Sequence, residues 1–217
     1  MKDYLVLVNK ANAFKQEEND FKYIEDIPVL RGDNGKNSSF AEEETYNAFL
    51  QFQQAMKKKG IDVQINSVGR TVEDQIATEK EIYEEQISKG KTEEEAKKYV
   101  EEYVAKPGHS EHHTGLAIDC KVRHIRQVPS YIYDNRLIRK TIIRAWNKQM
   151  MNIFRKNLSK FGFIKRYNEK DFDITGVHEE DWHIRFVGDK ETAKKIEKSG
   201  LCLEKYLALL KTNERTM

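Results

Sequence analysis

The stretch that most constrains this chain is Ser110-Glu111-His112-His113-Thr114-Gly115-Leu116-Ala117-Ile118-Asp119. From Leu116 onward the residues alternate. Leu116, Ile118, Cys120 and Val122 form one face of a strand, and Ala117, Asp119 and Lys121 form the other. The apolar face belongs in a core, so Asp119 projects from the opposite face, beside the small Ala117. His112 precedes the Thr114-Gly115 turn and is free to fold back towards Asp119. A carboxylate withdrawn from water needs a partner, and a metal ion is one. The other reading of this stretch alone is a surface turn with a solvated His and Asp.

A second stretch, His178-Glu-Glu-Asp-Trp-His-Ile-Arg-Phe-Val187, has the same character. Trp182, Ile184 and Phe186 alternate with His183, Arg185 and Val187, so an apolar face again seats on a core and a His leaves the other face. Glu180 lies three residues before His183. In a fully extended strand these two face opposite ways, so a bend near Asp181 is expected if both serve one site. The helical zinc signature His-Glu-x-x-His does not apply, because His178 and His183 are five apart. His112, Asp119 and His183 thus supply three ligands, with Glu180 nearby. Three protein ligands and one open position are what a catalytic zinc requires. A carboxylate within hydrogen-bond reach can then accept a proton from the bound water.

These motifs, Ser-x-His-x-x-Gly-x-Ala-x-Asp and then Glu-x-Trp-His, resemble those of the VanY-type zinc D,D- and L,D-carboxypeptidases. That family lies in a wider group with lysostaphin and the hedgehog signalling domain. The resemblance covers most of the chain: Leu5 to Lys10, Lys106 to Asp119, Gly162 to Tyr167, Ile174 to Gly176, Glu180 to Gly188 and Leu201 to Leu207. It implies one Zn²⁺ and removal of a C-terminal D-alanine from peptidoglycan stem peptides or their precursors. A D-Ala-D-Ala dipeptidase and a phage-type cell-wall endopeptidase are the enzyme alternatives. A zinc-bearing binding module, as hedgehog illustrates, is the alternative from another class.

The resemblance also implies roles. Glu180 is the general base. Ser67-x-x-Arg70 followed by Gln75 matches the family's substrate motif, so Arg70 binds the substrate carboxylate or the developing oxyanion, with Gln75 and Ser110 helping to hold the substrate. A guanidinium is a planar fork matched to a carboxylate. Relatives usually carry a Tyr before this Arg, where this chain has Gly69, so the family's pocket shape does not carry over there. The presence of both Glu180 and Arg70 favours an enzyme over a binding module. Of the other histidines, His113 should point away from the metal, His109 and His178 should lie near the cleft, and His124 should be solvated. Structural pairing is expected for Arg166 and Arg185.

A chain of 217 residues is expected to form one domain, residues 1–217, with a real core. With 38 basic and 36 acidic residues the net charge is +2, which gives no electrostatic case for a nucleic-acid partner. Cys120 and Cys202 alone make no disulfide framework. No apolar run is long enough to cross a membrane. Tyr4 to Val8 is too short for the core of a signal peptide. As written the chain is expected to be cytoplasmic, and to act in the extracytoplasmic cell envelope if a leader has been trimmed.

The expected architecture is α+β, a small antiparallel sheet carrying the zinc site and flanked by helices. Strands are expected at 4–8, 61–65, 116–122, 162–167 and 182–187. Helices are expected after the capping signatures Ser39-x-x-Glu42, Thr71-x-x-Asp74 and Thr92-x-x-Glu95, over 136–159, and as two short pieces divided by Gly200. A loop containing Pro129 is expected over 123–135. The charge runs at 79–102 read as solvated helix faces.

Overall fold

The computed structural model describes residues 2–30, 39–125 and 136–214. A two-residue ribbon comes first, β1 (Tyr23–Ile24) against β2 (Ala41–Glu42). Then follow α1 (Glu43–Lys58), β3 (Ile61–Ser67), α2 (Val72–Ser88), α3 (Glu93–Tyr103), β4 (Ala117–His124), α4 (Arg136–Leu158), β5 (Phe163–Tyr167), the single turn α5 (Phe172–Thr175), β6 (Glu180–Phe186), α6 (Lys190–Ser199) and α7 (Leu203–Glu214). The four longer strands form an antiparallel sheet in the order β3-β4-β6-β5. This is the expected α+β arrangement.

One face of the sheet meets the core. Val63, Ile65, Ile118, Phe163, Ile184 and Phe186 pack against Phe49, Phe52 and Met56 of α1 and Phe154 and Leu158 of α4. Phe52 lies at the centre, its ring 5.4 Å from Phe154 and 5.6 Å from Phe161. Complete burial of such a side chain contributes about 1.5–3 kcal/mol. The apolar alternation of 116–120 is therefore met by a real core, and the opposite face is left to polar chemistry. A smaller cluster ties α6 and α7 to β5 through Ile164, Ile196 and Leu203, with Leu5 and Leu7 against it.

Helices α2 and α3 start at the expected capping boxes, Thr71 with Asp74 and Thr92 with Glu95. Their charged faces carry i, i+4 pairs such as Lys89 with Glu85. The first capping box is not formed. The chain is still extended in β2 at Ala41–Glu42, so Glu42 itself caps α1, its carboxylate accepting from Thr45 N at 2.9 Å. Ser39 instead gives its carbonyl to Ile27 N.

The expected strand at 4–8 is also absent. Asp3 makes a turn, accepting from Val6 N through its carbonyl and from Leu5 N through its carboxylate. The carbonyls of Tyr4 and Val6 then accept from Arg185 Nη2 at 3.1 and 3.0 Å. Backbone groups satisfied by a side chain need no ladder. The expected loop at 123–135 begins later, because Arg123 and His124 end β4; Pro129 lies outside the described residues. His124 is half-buried rather than solvated, its Nε2 3.1 Å from Trp146 O.

Candidate metal centre

Strand pairing places the centre. Asp119 of β4 and His183 of β6 are register partners, side by side on the face away from the core. His112 comes from the 3-10 turn Glu111–Thr114, which the left-handed Gly115 closes at φ +68. A side chain at Gly115 would also meet Glu42 N at 2.7 Å. The turn folds His112 back over the strand it precedes. One ligand atom from each of His112, Asp119 and His183 lies within 4.8 Å of the others, and among the described residues this is the one such cluster.

Each ring is oriented by its remaining nitrogen. His112 Nδ1–H donates to Val68 O at 2.8 Å, which leaves the Nε2 lone pair facing Asp119 Oδ2 at 3.4 Å. His183 Nε2–H donates to Glu111 Oε2 at 3.3 Å, which leaves Nδ1 facing Asp119 Oδ1 at 3.1 Å. Fixing the second nitrogen in this way selects the tautomer a metal needs. Burial lowers the pKa of His112, favouring the neutral ligand form. Burial also acts to lower His183, but its hydrogen bonds to the Asp119 and Glu111 carboxylates reverse this and push it up to about 10, so that a proton bridges Nδ1 and Asp119 where a bound cation would take its place. For Asp119, burial opposes ionisation, but the two histidines hold the carboxyl well below its usual range. Two imidazole nitrogens and a carboxylate oxygen converging on one point are a donor set that fits Zn²⁺.

The bend expected near Asp181 is present. Between the pairs Lys165↔Ile184 and Tyr167↔Glu180, β5 advances two residues while β6 spans four. Asp181 is turned outward to Arg155 and Lys165. Glu180 is returned to the site face, its Oε2 3.7 Å from His183 Nδ1. Burial raises the Glu180 carboxyl above its ordinary value. The same bend overturns one expectation, since Trp182 does not join Ile184 and Phe186 in the core. It is 49% exposed and lines the cleft.

Arg70 reaches this cleft from the end of β3. Its guanidinium donates to Ser67 Oγ at 3.0 Å and to Gln75 Oε1 at 3.3 Å. Gln75 donates in turn to Ala105 O at 2.7 Å. His113 points away from His112, Asp119 and His183, as expected, and donates through Nδ1 to Arg70 O at 2.9 Å. Gly69 permits a close approach by Phe40, where any Cβ would sit 2.3 Å from Phe40 O and 2.6 Å from its ring. Ser110 Oγ accepts from His112 N at 3.3 Å. His109 and His178 both line the cleft, His109 bonded to Asn9 O and His178 to Glu169 and Glu102.

Behind His183 lies a group that the motifs did not single out. Glu111 is buried, with Oε1 accepting from Arg166 Nε and Arg185 Nη1, both at 2.8 Å. Burial opposes its charge, but Arg166 and Arg185 overcome this and hold it ionised. Arg166 reaches on to Glu204 at 2.6 and 2.9 Å. The pairing expected for the two arginines is real, and it converges on the carboxylate that orients His183. Arginines on two strands that each carry an apolar run require an acid if they are buried, and that need was the available signal.

The chain has relatives. A family model described as VanY, D-alanyl-D-alanine carboxypeptidase, matches residues 38–189. The chain belongs to the VanY family. It is similar to a D-alanyl-D-alanine carboxypeptidase of Enterococcus faecalis (strain ATCC 700802 / V583), 33% identical over 204 residues. That alignment covers 94% of this chain and 65% of the relative's own length. Among solved VanY-family structures, VanYB in complex with D-alanine-D-alanine is 30% identical with a TM-score of 0.70, covering 94% of this chain and 97% of that one. A mutant of the vancomycin-resistance D,D-pentapeptidase VanY from a VanB-type cassette, in complex with Zn(II), is 30% identical with a TM-score of 0.69, covering 95% and 99%.

Proposed function

We propose that this VanY-family chain is a single-domain zinc carboxypeptidase that removes the C-terminal D-alanine from peptidoglycan stem peptides or their precursors. One observation carries the reading: Arg70, an anion-binding group held by Ser67 and Gln75, opens into the same cleft as His112, Asp119, His183 and Glu180. A carboxypeptidase must recognise a free terminal carboxylate next to its hydrolytic centre. Solved relatives in complex with Zn(II) and with D-alanine-D-alanine support the metal and the substrate class.

His112 through Nε2, Asp119 through its carboxylate and His183 through Nδ1 would hold one Zn²⁺. When bound, zinc polarises a carbonyl oxygen and acidifies water. Arg70 binds the terminal carboxylate of the substrate. Gln75 has its amide oxygen on Arg70 and its amide nitrogen on Ala105, so it fixes the guanidinium. The Ser110 hydroxyl caps His112 with a lone pair and keeps its proton to donate to the peptide. Glu180 accepts a proton from the attacking water on Oε2 and returns it to the leaving amine nitrogen. Its raised pKa suits it to hold that proton in between. Among the described residues no helix is long and apolar enough to cross a membrane.

The test is mass spectrometry of products from a stem pentapeptide, its C-terminal amide, a tetrapeptide and D-Ala-D-Ala. The pentapeptide acid should lose one D-alanine. A hydrogen bond to a charged group contributes about 1.5–3 kcal/mol, so the amide should be cut roughly 10–150-fold less efficiently. Equal cleavage of acid and amide would replace this reading with a cell-wall endopeptidase, and selective cleavage of the dipeptide would replace it with a dipeptidase.

A further inference from the structure

The cleft has a second cation, and nothing above uses it. Lys10 sits on a turn that Asn9 closes on itself. Asn9 and Asn12 exchange backbone hydrogen bonds of 3.0 and 3.1 Å, and Asn9 Oδ1 accepts from Ala11 N, Asn12 N and Asn12 Nδ2. Asn9 Nδ2 donates to Glu204, and Asn9 O accepts from His109 Nδ1 at 2.9 Å. His109 immediately precedes Ser110, so the turn is tied to the metal motif itself. This is a rigid mount for one long side chain.

The direction of that side chain is set by Gly176. The Lys10 stem lies across the bare face of this glycine, where a Cβ would meet Lys10 Cδ at 2.9 Å and Nζ at 3.4 Å. Lys10 lines the same cleft as Arg70 and the metal ligands. The two cations approach from opposite ends of the sheet. Arg70 follows β3 at one edge, whereas Gly176 lies in the connection between β5 and β6 at the other, and the ligand strands β4 and β6 run between. Among the described residues Lys10 forms no ion pair. The carboxylate of Glu102, which lines the same cleft, faces His178 Nε2 at 3.4 Å.

We propose that Lys10 is a specificity residue that binds a second carboxylate, carried by the peptide on the amino-terminal side of the bond that is cut. The proposal rests on the carboxypeptidase reading. With the terminal carboxylate at Arg70 and the scissile carbonyl at the metal ligands, the upstream peptide runs towards the β5–β6 connection, where Lys10 waits. In a stem peptide two groups have this chemistry, the α-carboxylate of a γ-linked D-glutamate and the side-chain carboxylate of a diamino-dicarboxylic acid at the third residue.

The experiment measures kcat/KM of the zinc-loaded full chain on two peptide pairs, both ending in D-Ala-D-Ala. One pair differs only in the glutamate carboxylate or carboxamide, the other only in meso-diaminopimelate or L-lysine at the third position. An exposed ion pair and a charge-assisted hydrogen bond bracket the effect, so the acid of at least one pair should be preferred about 3–10-fold, mostly through KM. The pair that shows the preference identifies the source. Lys10→Met should abolish it and Lys10→Arg should retain most of it. Equal rates within both pairs for the unaltered protein, or a preference that survives Lys10→Met, would overturn the proposal while leaving the carboxypeptidase reading intact. Cleavage of none of the four peptides would overturn both.

Discussion

Asp119 and His183 are 64 residues apart in the chain and directly opposite each other in the β4–β6 ladder, His183 Nδ1 lying 3.1 Å from Asp119 Oδ1. Neither strand neighbours the other in sequence order, so the pair exists only once the sheet has formed.

Removing this pair should therefore remove the metal and not merely weaken catalysis. The double variant Asp119→Ala, His183→Ala is expected to purify without zinc, while the unaltered chain holds one equivalent. Elemental analysis of both after dialysis is the check. Stoichiometric zinc in the double variant would show that other residues hold it.

Glu180 should behave in the opposite way. Its carboxylate is near His183 without being one of the three converging donors. Glu180→Ala is expected to keep zinc and lose turnover by about 10²–10⁴-fold, the usual range for a positioned base. Glu179, which pairs with Lys165 on the outside, serves as the control, and Glu179→Ala should cut normally. A Glu180→Ala protein that loses its zinc would make Glu180 a ligand.

Much of this was visible in the alternation of 116–122 and 182–187, because a strand with one apolar face must present the other face to something polar. What could not be read was register. Periodicity says that Asp119 leaves the core face, yet it does not say that β6 rather than β5 lies beside it. The extra residues of β6 were legible as a need, since Glu180 and His183 cannot share a face without a bend, but Trp182 was misplaced because the same bend turns it out to the cleft. The strand expected at 4–8 failed for a different reason. Its apolar pattern is real, but its carbonyls are taken by Arg185, a partner 179 to 181 residues away.

Glu111 should matter twice. It offsets Arg166 and Arg185 and also orients His183. Breaking a buried ion pair costs about 3–5 kcal/mol, so Glu111→Gln should unfold at markedly lower denaturant. Loss of a group that orients a ligand typically reduces metal affinity about 10–100-fold. Glu204→Gln, which touches Arg166 but not His183, is the comparison: it should lower stability with zinc affinity unchanged. Chelator competition on both folded variants separates the two roles, and equal zinc affinity would leave Glu111 a purely structural charge.

His178 supplies a pH-dependent contact at the cleft rim. Its ring stacks on Phe172 and Tyr103 and lies between Glu169, at 3.1 Å, and Glu102, at 3.4 Å. The hydrogen bond to Glu169 chiefly raises its pKa above 6.5. A pKa raised in the folded state means that the contact's stabilisation is complete below the unfolded value and is lost as pH rises through the folded one. An NMR titration of His178 should therefore give a midpoint above 6.5 that falls in Glu169→Gln. A midpoint unmoved by that substitution would detach His178 from Glu169.

The Arg185 bonds to Tyr4 and Val6 bear on how this chain can be trimmed. The stretch that matches the family begins at residue 38, and His112, the first of the three candidate ligands, lies more than seventy residues further on. A fragment cut at that border would nevertheless strip two acceptors from a buried guanidinium that braces Glu111 and, through it, His183. Such a fragment is expected to express poorly or to hold zinc loosely although His112, Asp119 and His183 are all present, so the usable minimum for crystallisation or engineering starts ahead of Tyr4.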